Sequence, residues 1–204
     1  MRLSLKTAPA AAALDWTTEV MEHLRLDSSE EQGRVMTILV PAAQQWAESA
    51  TGRQLVTATW TLFLSSFPGD SSCPIWLPKP PLQSVTSVKY YDGAGVLQTW
   101  AASNYSYVAP AGPKCGGGYI LPKAGAFYPS VYGSPYEVEI EFVAGYGATF
   151  AAVPGLLKAG MLLLVGEQFE RREESVSGTI INRVPMNAAS LILPFLWEHP
   201  YAGR

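Results

Sequence analysis

The chain is poor in charge and nearly bare of the residues that carry chemistry. Charged side chains make up 15% of its 204 residues, against about 25% in ordinary globular domains, while hydrophobic residues make up 48%. Much of a surface so short of charge must be neutral or covered by something else, which points towards partner subunits. Lysine and arginine nowhere cluster and the net charge is −3, which excludes the electrostatic footprint of an ordinary nucleic-acid reader. The two cysteines, Cys73 and Cys115, sit in Pro/Gly-rich stretches without CxxC spacing and read as free thiols of a cytosolic product. The two histidines, His23 and His199, belong to no HExxH or related pair, so no metal site is expected. No apolar stretch approaches the ~20 residues that a membrane span needs, and the start carries no secretory leader. The expectation is a soluble protein with no membrane contact.

Catalytic motifs are missing too. There is no GxSxG elbow, no GxxxxGK[ST] loop and no GxGxxG after a strand. The run Gly116, Gly117, Gly118 precedes a strand instead of a helix, so no helix N-terminus is offered to a phosphate and a hairpin loop is expected. No catalytic residue and no cofactor are assigned.

What the sequence does have is a change of period. Up to residue 53 the spacing is helical: Asp15 can cap a short helix, and Asp27, Ser28 or Ser29 a longer one. On that second helix Val35, Leu39, Ala42, Ala43, Trp46, Ala47 and Ala50 recur, and Gly52 supplies the stop. Pro41 lies inside the pattern and should kink it, because proline removes a backbone donor. From Gln54 the period is two: Val56, Ala58, Trp60, Leu62 and Leu64 share one face and Thr57, Thr59, Thr61 and Ser65 the other. Further strands are expected over 75–77, 84–91, 96–100, 105–108, 119–121 and 137–144, separated by turn residues. Beyond Gly147 the helical pattern returns, with Pro154 in a first turn and an apolar run over 156–169 that must be covered all round. The fold class is α+β. A small helical bundle made of residues 1–53 and 148–204 carries an inserted antiparallel sandwich or barrel-like domain over 54–147.

Two groups invite a functional reading. Glu137, Glu139 and Glu141 share one face of the strand EVEIEF. Paired carboxylates run glycoside hydrolysis or hold a hard cation, but three charges opposite Val138, Ile140 and Phe142 also describe the solvated face of any sheet, or an acidic face turned to DNA or a partner. The aromatic residues of the β block suit a sugar-stacking platform, and equally a core with a subunit interface.

Several segments, taken in order, resemble the head-to-tail connector family of tailed bacteriophages, in its longer branch with a β insertion. They are LDWTTEVMEHLRLDSSEEQGRVMTILVPAAQQWAESATGRQL, then VEIEFVAGYG, then VPGLLKAGMLLLVGEQFERRE and a closing LPFL. They cover about two thirds of the chain, with Pro41 unexpected within the long helix and no motif to align in the β block. The resemblance implies a virion protein made in the host bacterial cytoplasm. It implies a homo-oligomeric ring, dodecameric, beneath the portal protein, bound on its other side to a tail-side completion or tail-terminator protein. DNA would pass through its channel without sequence-specific binding, and no catalytic residue carries over. On this reading Leu157, Met161, Leu164 and Phe169 are candidate subunit-interface positions. Phe195, Trp197, Tyr201 and Arg204 form a candidate portal-binding tail, whose deletion from residue 194 should leave the fold intact. Alternatives are a tail-terminator or head-completion protein, a carbohydrate-binding virion module using the aromatic β block, and a hydrolase using the three glutamates.

Overall fold

Helices and antiparallel strands segregate along the chain as the change of period requires, with one exception at the very start. The computed structural model describes residues 1–133, 135–170 and 186–198. Residues Arg2–Thr7 form strand β1, paired antiparallel with β2 (Ala58–Leu64). The start of the chain is therefore part of the sheet and not of the helical part expected over 1–53. Its signal, Leu3 and Leu5 alternating with polar neighbours, is too short to stand out without its partner strand.

A π-helical turn, Trp16–Val20, runs into helix α1 (Met21–His23). Asp15 caps it: its Oδ2 accepts the Thr18 backbone N–H at 2.9 Å, and the Asp15 N–H donates to Glu19 Oε2 at 2.9 Å. The long helix begins at α2 (Gln32–Arg34), preceded by Glu31 with no side-chain cap, so none of the three expected caps is used. It continues through a second π-helical turn, Val35–Leu39, into α3 (Val40–Thr51). That turn is the answer to Pro41. The proline cannot donate and its ring crowds the carbonyl four residues back, and widening the preceding turn lets Pro41 occupy the first turn of α3, where a missing N–H costs nothing. Gly52, at φ +70, ends α3, and a Cβ there would stand 2.7 Å from the carbonyl oxygen of Trp197.

The β block is two sheets. One has the order β1, β2, β8 (Val138–Ala144), β4 (Leu82–Tyr91), β5 (Leu97–Trp100); the other has β3 (Ile75–Trp76), β7 (Tyr119–Pro122), β6 (Tyr105–Val108). All pairings between these strands are antiparallel. Leu62, Val88, Val138, Ile140 and Phe142 pack with Leu77, Ile120, Phe67, Trp100 and Tyr105 into one core. A second core joins the helices: Val20, Val35, Val40, Ala43 and Ala47 meet Leu157, Met161, Leu164 and Val165 of α4 (Gly155–Glu170), with Ile192 of α5 (Met186–Ile192) and Phe195. The fold is α+β, as the change of period predicts.

Candidate assembly surfaces

The covering of α4 comes first, because the apolar run over 156–169 was the sequence's strongest hint of an interface. Leu157, Met161 and Leu164 are buried inside the chain's own helical core. The helix packs against α3, the π-helical turn and α5, and α5 approaches so closely that a Cβ on Gly160 would lie 2.9 Å from Ile192 Cγ2. Those three side chains are therefore filled from within and cannot be subunit contacts. Phe169 is partly buried against the same core, with the Arg34 guanidinium 5.3 Å from its ring centroid. Leu156 alone of the helix's leucines is exposed.

The candidate tail is likewise turned inward as far as it is described. Phe195 is 2% exposed and belongs to the helical core. Trp197 donates its backbone N–H to Thr51 O at 3.0 Å, and its ring lies over Gly117, where a Cβ would be 2.5 Å from Cζ2. The glycine run is thus a seat for an indole, and a side chain at Gly117 would displace it. Deleting residues from 194 onwards would remove a core phenylalanine, so the expected intact fold does not follow. Tyr201, Arg204 and His199 lie outside the described residues.

What holds the tail is a polar node that the sequence does not advertise. Arg53 is only 2% exposed, and its Nε donates to the Phe195 carbonyl at 2.5 Å, while Nη1 stands 4.0 Å from Cys115 Sγ. Tyr146 faces the same node and donates its hydroxyl to Pro113 O at 2.6 Å. Burial pushes the Tyr146 phenol up to about 12, with Arg53 pulling the other way, so the hydroxyl stays protonated and available as a donor. Cys115 is buried and Cys73 exposed, both as free thiols.

A second network sits under the outer face of α3. Glu48 Oε1 accepts from Leu55 N–H at 3.1 Å, Gln54 Nε2 at 2.9 Å and Gln44 Nε2 at 3.1 Å. Gln44 Oε1 accepts from Ala13 N–H, and Gln54 Oε1 from Trp60 Nε1. Burial raises the Glu48 carboxyl above the ordinary glutamate range, against the lowering pull of these bonds and of Lys79. Above this network lies an open trough of about 640 Å³. The segment 9–12 forms one wall, and Thr37, Ile38, Pro41, Ala42 and Gln45 the other. Ile38 is 59% exposed within it.

The three glutamates divide. Glu137 precedes β8, is buried, and accepts the Gly133 N–H at 2.7 Å, so it is not on a solvated face. Its neighbours stay on the outer face of the sheet, but not as bare charge: Glu141 pairs with Lys6 at 2.6 Å, and Glu139 sits opposite Lys89 in the β4–β8 register. Strand pairing brought a lysine near each, which the strand's own sequence could not show. The aromatic residues of the β block divide: Phe67 stacks on Tyr128 at 5.4 Å and meets Tyr90 and Trp100 edge-on, and Trp100 lies 5.1 Å from Tyr105, in the core, whereas Tyr107, Phe127, Tyr132 and Tyr136 are exposed. Among the described residues no group of three His, Cys, Asp or Glu side chains converges as a metal site would require.

No family model matches the chain, and comparison with curated proteins gives no match. Solved structures do match, along the whole chain. A chain from the neck of an empty gene transfer agent particle, computed with C6 symmetry, is 28% identical with a TM-score of 0.76, and all of both chains is covered. A chain from the virion of the native gene transfer agent particle is 27% identical with a TM-score of 0.75, covering all of this chain and 99% of that one. A chain from the neck of the native particle, computed with C12 symmetry, is 26% identical with a TM-score of 0.71, again over the full length of both. In fold and over its entire length, helices and β block together, the chain is similar to proteins of the neck of phage-like particles.

Proposed function

We propose that the chain is a structural head-to-tail connector of a phage-like particle and works by assembly, not catalysis. The observation that carries this reading is the full-length similarity to neck chains, since it takes in both helical parts and the β insertion. The proposed assembly is a homo-oligomeric ring of twelve copies beneath the portal, joined on its far side to a completion or terminator protein, with DNA passing through. The twelvefold symmetry with which one neck was computed supports that copy number. Residues 1–53 and 148–204 make the connector bundle and 54–147 the inserted domain, with residues 2–7 lent to the sheet. Tyr201 and Arg204 are the portal contacts retained from the candidate tail, and Phe195 and Trp197 anchor its base.

Geometry weighs against the rival classes. A glycosidase needs two carboxyl groups free to face a sugar, and here Glu137 is bonded inside a loop while Glu141 is paired with a lysine. A sugar platform needs exposed rings; Trp100, Tyr105 and Phe67 are buried, which leaves that reading only Tyr107, Phe127, Tyr132 and Tyr136. A tail-terminator is the rival within the same class. Native mass spectrometry of the chain, alone and with the portal of its particle, tests the proposal: a ring of about twelve copies that binds the portal is expected. A chain that stays monomeric and ignores the portal would overturn it, and a ring that binds only tail proteins would favour the terminator.

A further inference from the structure

A ring of identical copies built head to tail needs two different surfaces on each chain that fit one another. Two surfaces of the described chain have the matching chemistry. The first is the trough beside α3. Its walls join the small or apolar Pro9, Ala10, Ala11, Ile38, Pro41 and Ala42 to the uncharged polar Thr37, Gln44 and Gln45. Its one ionisable lining group, Glu48, has Oε1 committed to three hydrogen bonds within the chain. A lining that is uncharged apart from Glu48, with Ile38, Pro41 and the alanines at its surface, suits a neutral partner that brings apolar side chains.

The second surface is the turn at residues 193–196. Leu193 is 63% exposed and Leu196 51% exposed, with Pro194 exposed between them. Phe195, the remaining residue of the turn, points the other way into the core, and its carbonyl is held by Arg53. Trp197, next along, is fixed over Gly117 and bonded to Thr51. The turn is thus an apolar knob pinned from behind, and pre-ordering of this kind removes the entropy cost that a loose tail would incur on docking.

We propose that the Leu193/Pro194/Leu196 knob of one copy seats in the α3 trough of the next, and that this contact closes the connector ring. The proposal rests on the connector reading and on the rotational symmetry of the neck structures that this chain resembles. It commits the trough to a second copy of this chain: the knob brings uncharged, apolar side chains to the exposed Ile38 and its apolar neighbours Pro41 and Ala42, and Ile38, Leu193 and Leu196 are all exposed in a single chain.

The test uses complementary variants of the full chain. Ile38→Asp spoils the trough and Leu193→Asp spoils the knob, both at exposed positions, so circular dichroism should show unchanged folds. Each variant alone is expected to weaken self-association at least about tenfold in sedimentation velocity, as loss of a central apolar contact does. Mixed together they should form a heterodimer and nothing larger, because one intact knob meets one intact trough. In a Cys73→Ser background, Ala42→Cys with Leu193→Cys should give a ladder of intermolecular disulfides. If wild-type chains form rings, and both aspartate variants form them equally well with no disulfide ladder, the knob and trough are not the interface and the connector reading stands. If wild-type chains form no ring, alone or with portal, both the interface and the connector reading fall.

Discussion

Arg53 joins three parts of the chain that are far apart in sequence, and its guanidinium does so through the Phe195 carbonyl. Arg53→Met keeps the length of the side chain but strands a buried acceptor, and should cost about 1–3 kcal/mol in urea denaturation. Gly117→Ala places a methyl group where the Trp197 ring lies, and should cost a similar ~1–3 kcal/mol through overpacking. Loss of less than about 0.5 kcal/mol, the usual effect of a neutral surface change, would show that the indole is not held there.

Titration gives two opposite signs at this scale. The Glu48 carboxyl is raised by burial, so just above the ordinary glutamate range the folded chain still holds a proton that the unfolded chain has released. Raising pH through that window lowers stability, and Glu48→Gln should remove this slope from a plot of Tm against pH. Asp15 is lowered, chiefly by the Thr18 backbone N–H. Its contribution is present above the ordinary aspartate range and fades as pH falls through its depressed value, a trend Asp15→Asn should abolish.

Among the elements, α4 shows how an apolar run misleads. Apolar on nearly every side, it reads as a helix shared between subunits, yet α3 and α5 cover its buried face within one chain. Leu157→Ala and Met161→Ala are expected to cost about 2–5 kcal/mol each, as core truncations do. Leu156→Ala, at an exposed position, should stay within about 0.5 kcal/mol. Thermal denaturation of the three variants checks this, and equal effects would contradict the burial pattern. The terminal turn makes the same point. A chain ended after Glu198 keeps Phe195 and Trp197 and should fold normally, whereas one ended after Ile192 loses a core ring worth about 3–5 kcal/mol.

For the whole molecule, low charge becomes a statement about assembly. An interface made of Ile38, Ala42, Leu193 and Leu196 carries no ion pairs, so a ring formed through it should persist or strengthen between 0.1 and 1 M salt, on the order of the range over which screening removes surface electrostatics. Dissociation of the ring at high salt, followed by light scattering, would point to charged contacts elsewhere. The outer face of the five-stranded sheet should matter little to assembly. Its Lys6–Glu141 pair is an exposed bridge of the kind worth about 0–1 kcal/mol, and Glu141→Gln should leave the oligomer unchanged.

Sequence by itself determined the α+β class, the return of helix after the β block, the Asp15 cap and the stop at Gly52, because each is written in local spacing and backbone preference. The order of its helical segments also pointed to the connector family. Only the tertiary structure decided that residues 2–7 are a strand, that Leu157, Met161 and Leu164 face inward, that Phe195 and Trp197 are anchors, and that Glu141 pairs with Lys6. The physical reason is the same in each case. A side chain's period says that it is apolar or charged and which neighbours share its face, but what lies against that face comes from residues tens to more than a hundred positions away. The low charge of the chain announced a surface that is neutral or covered, and the packing of its helices showed which apolar groups were already covered and which, Ile38, Leu193 and Leu196 among them, stay open.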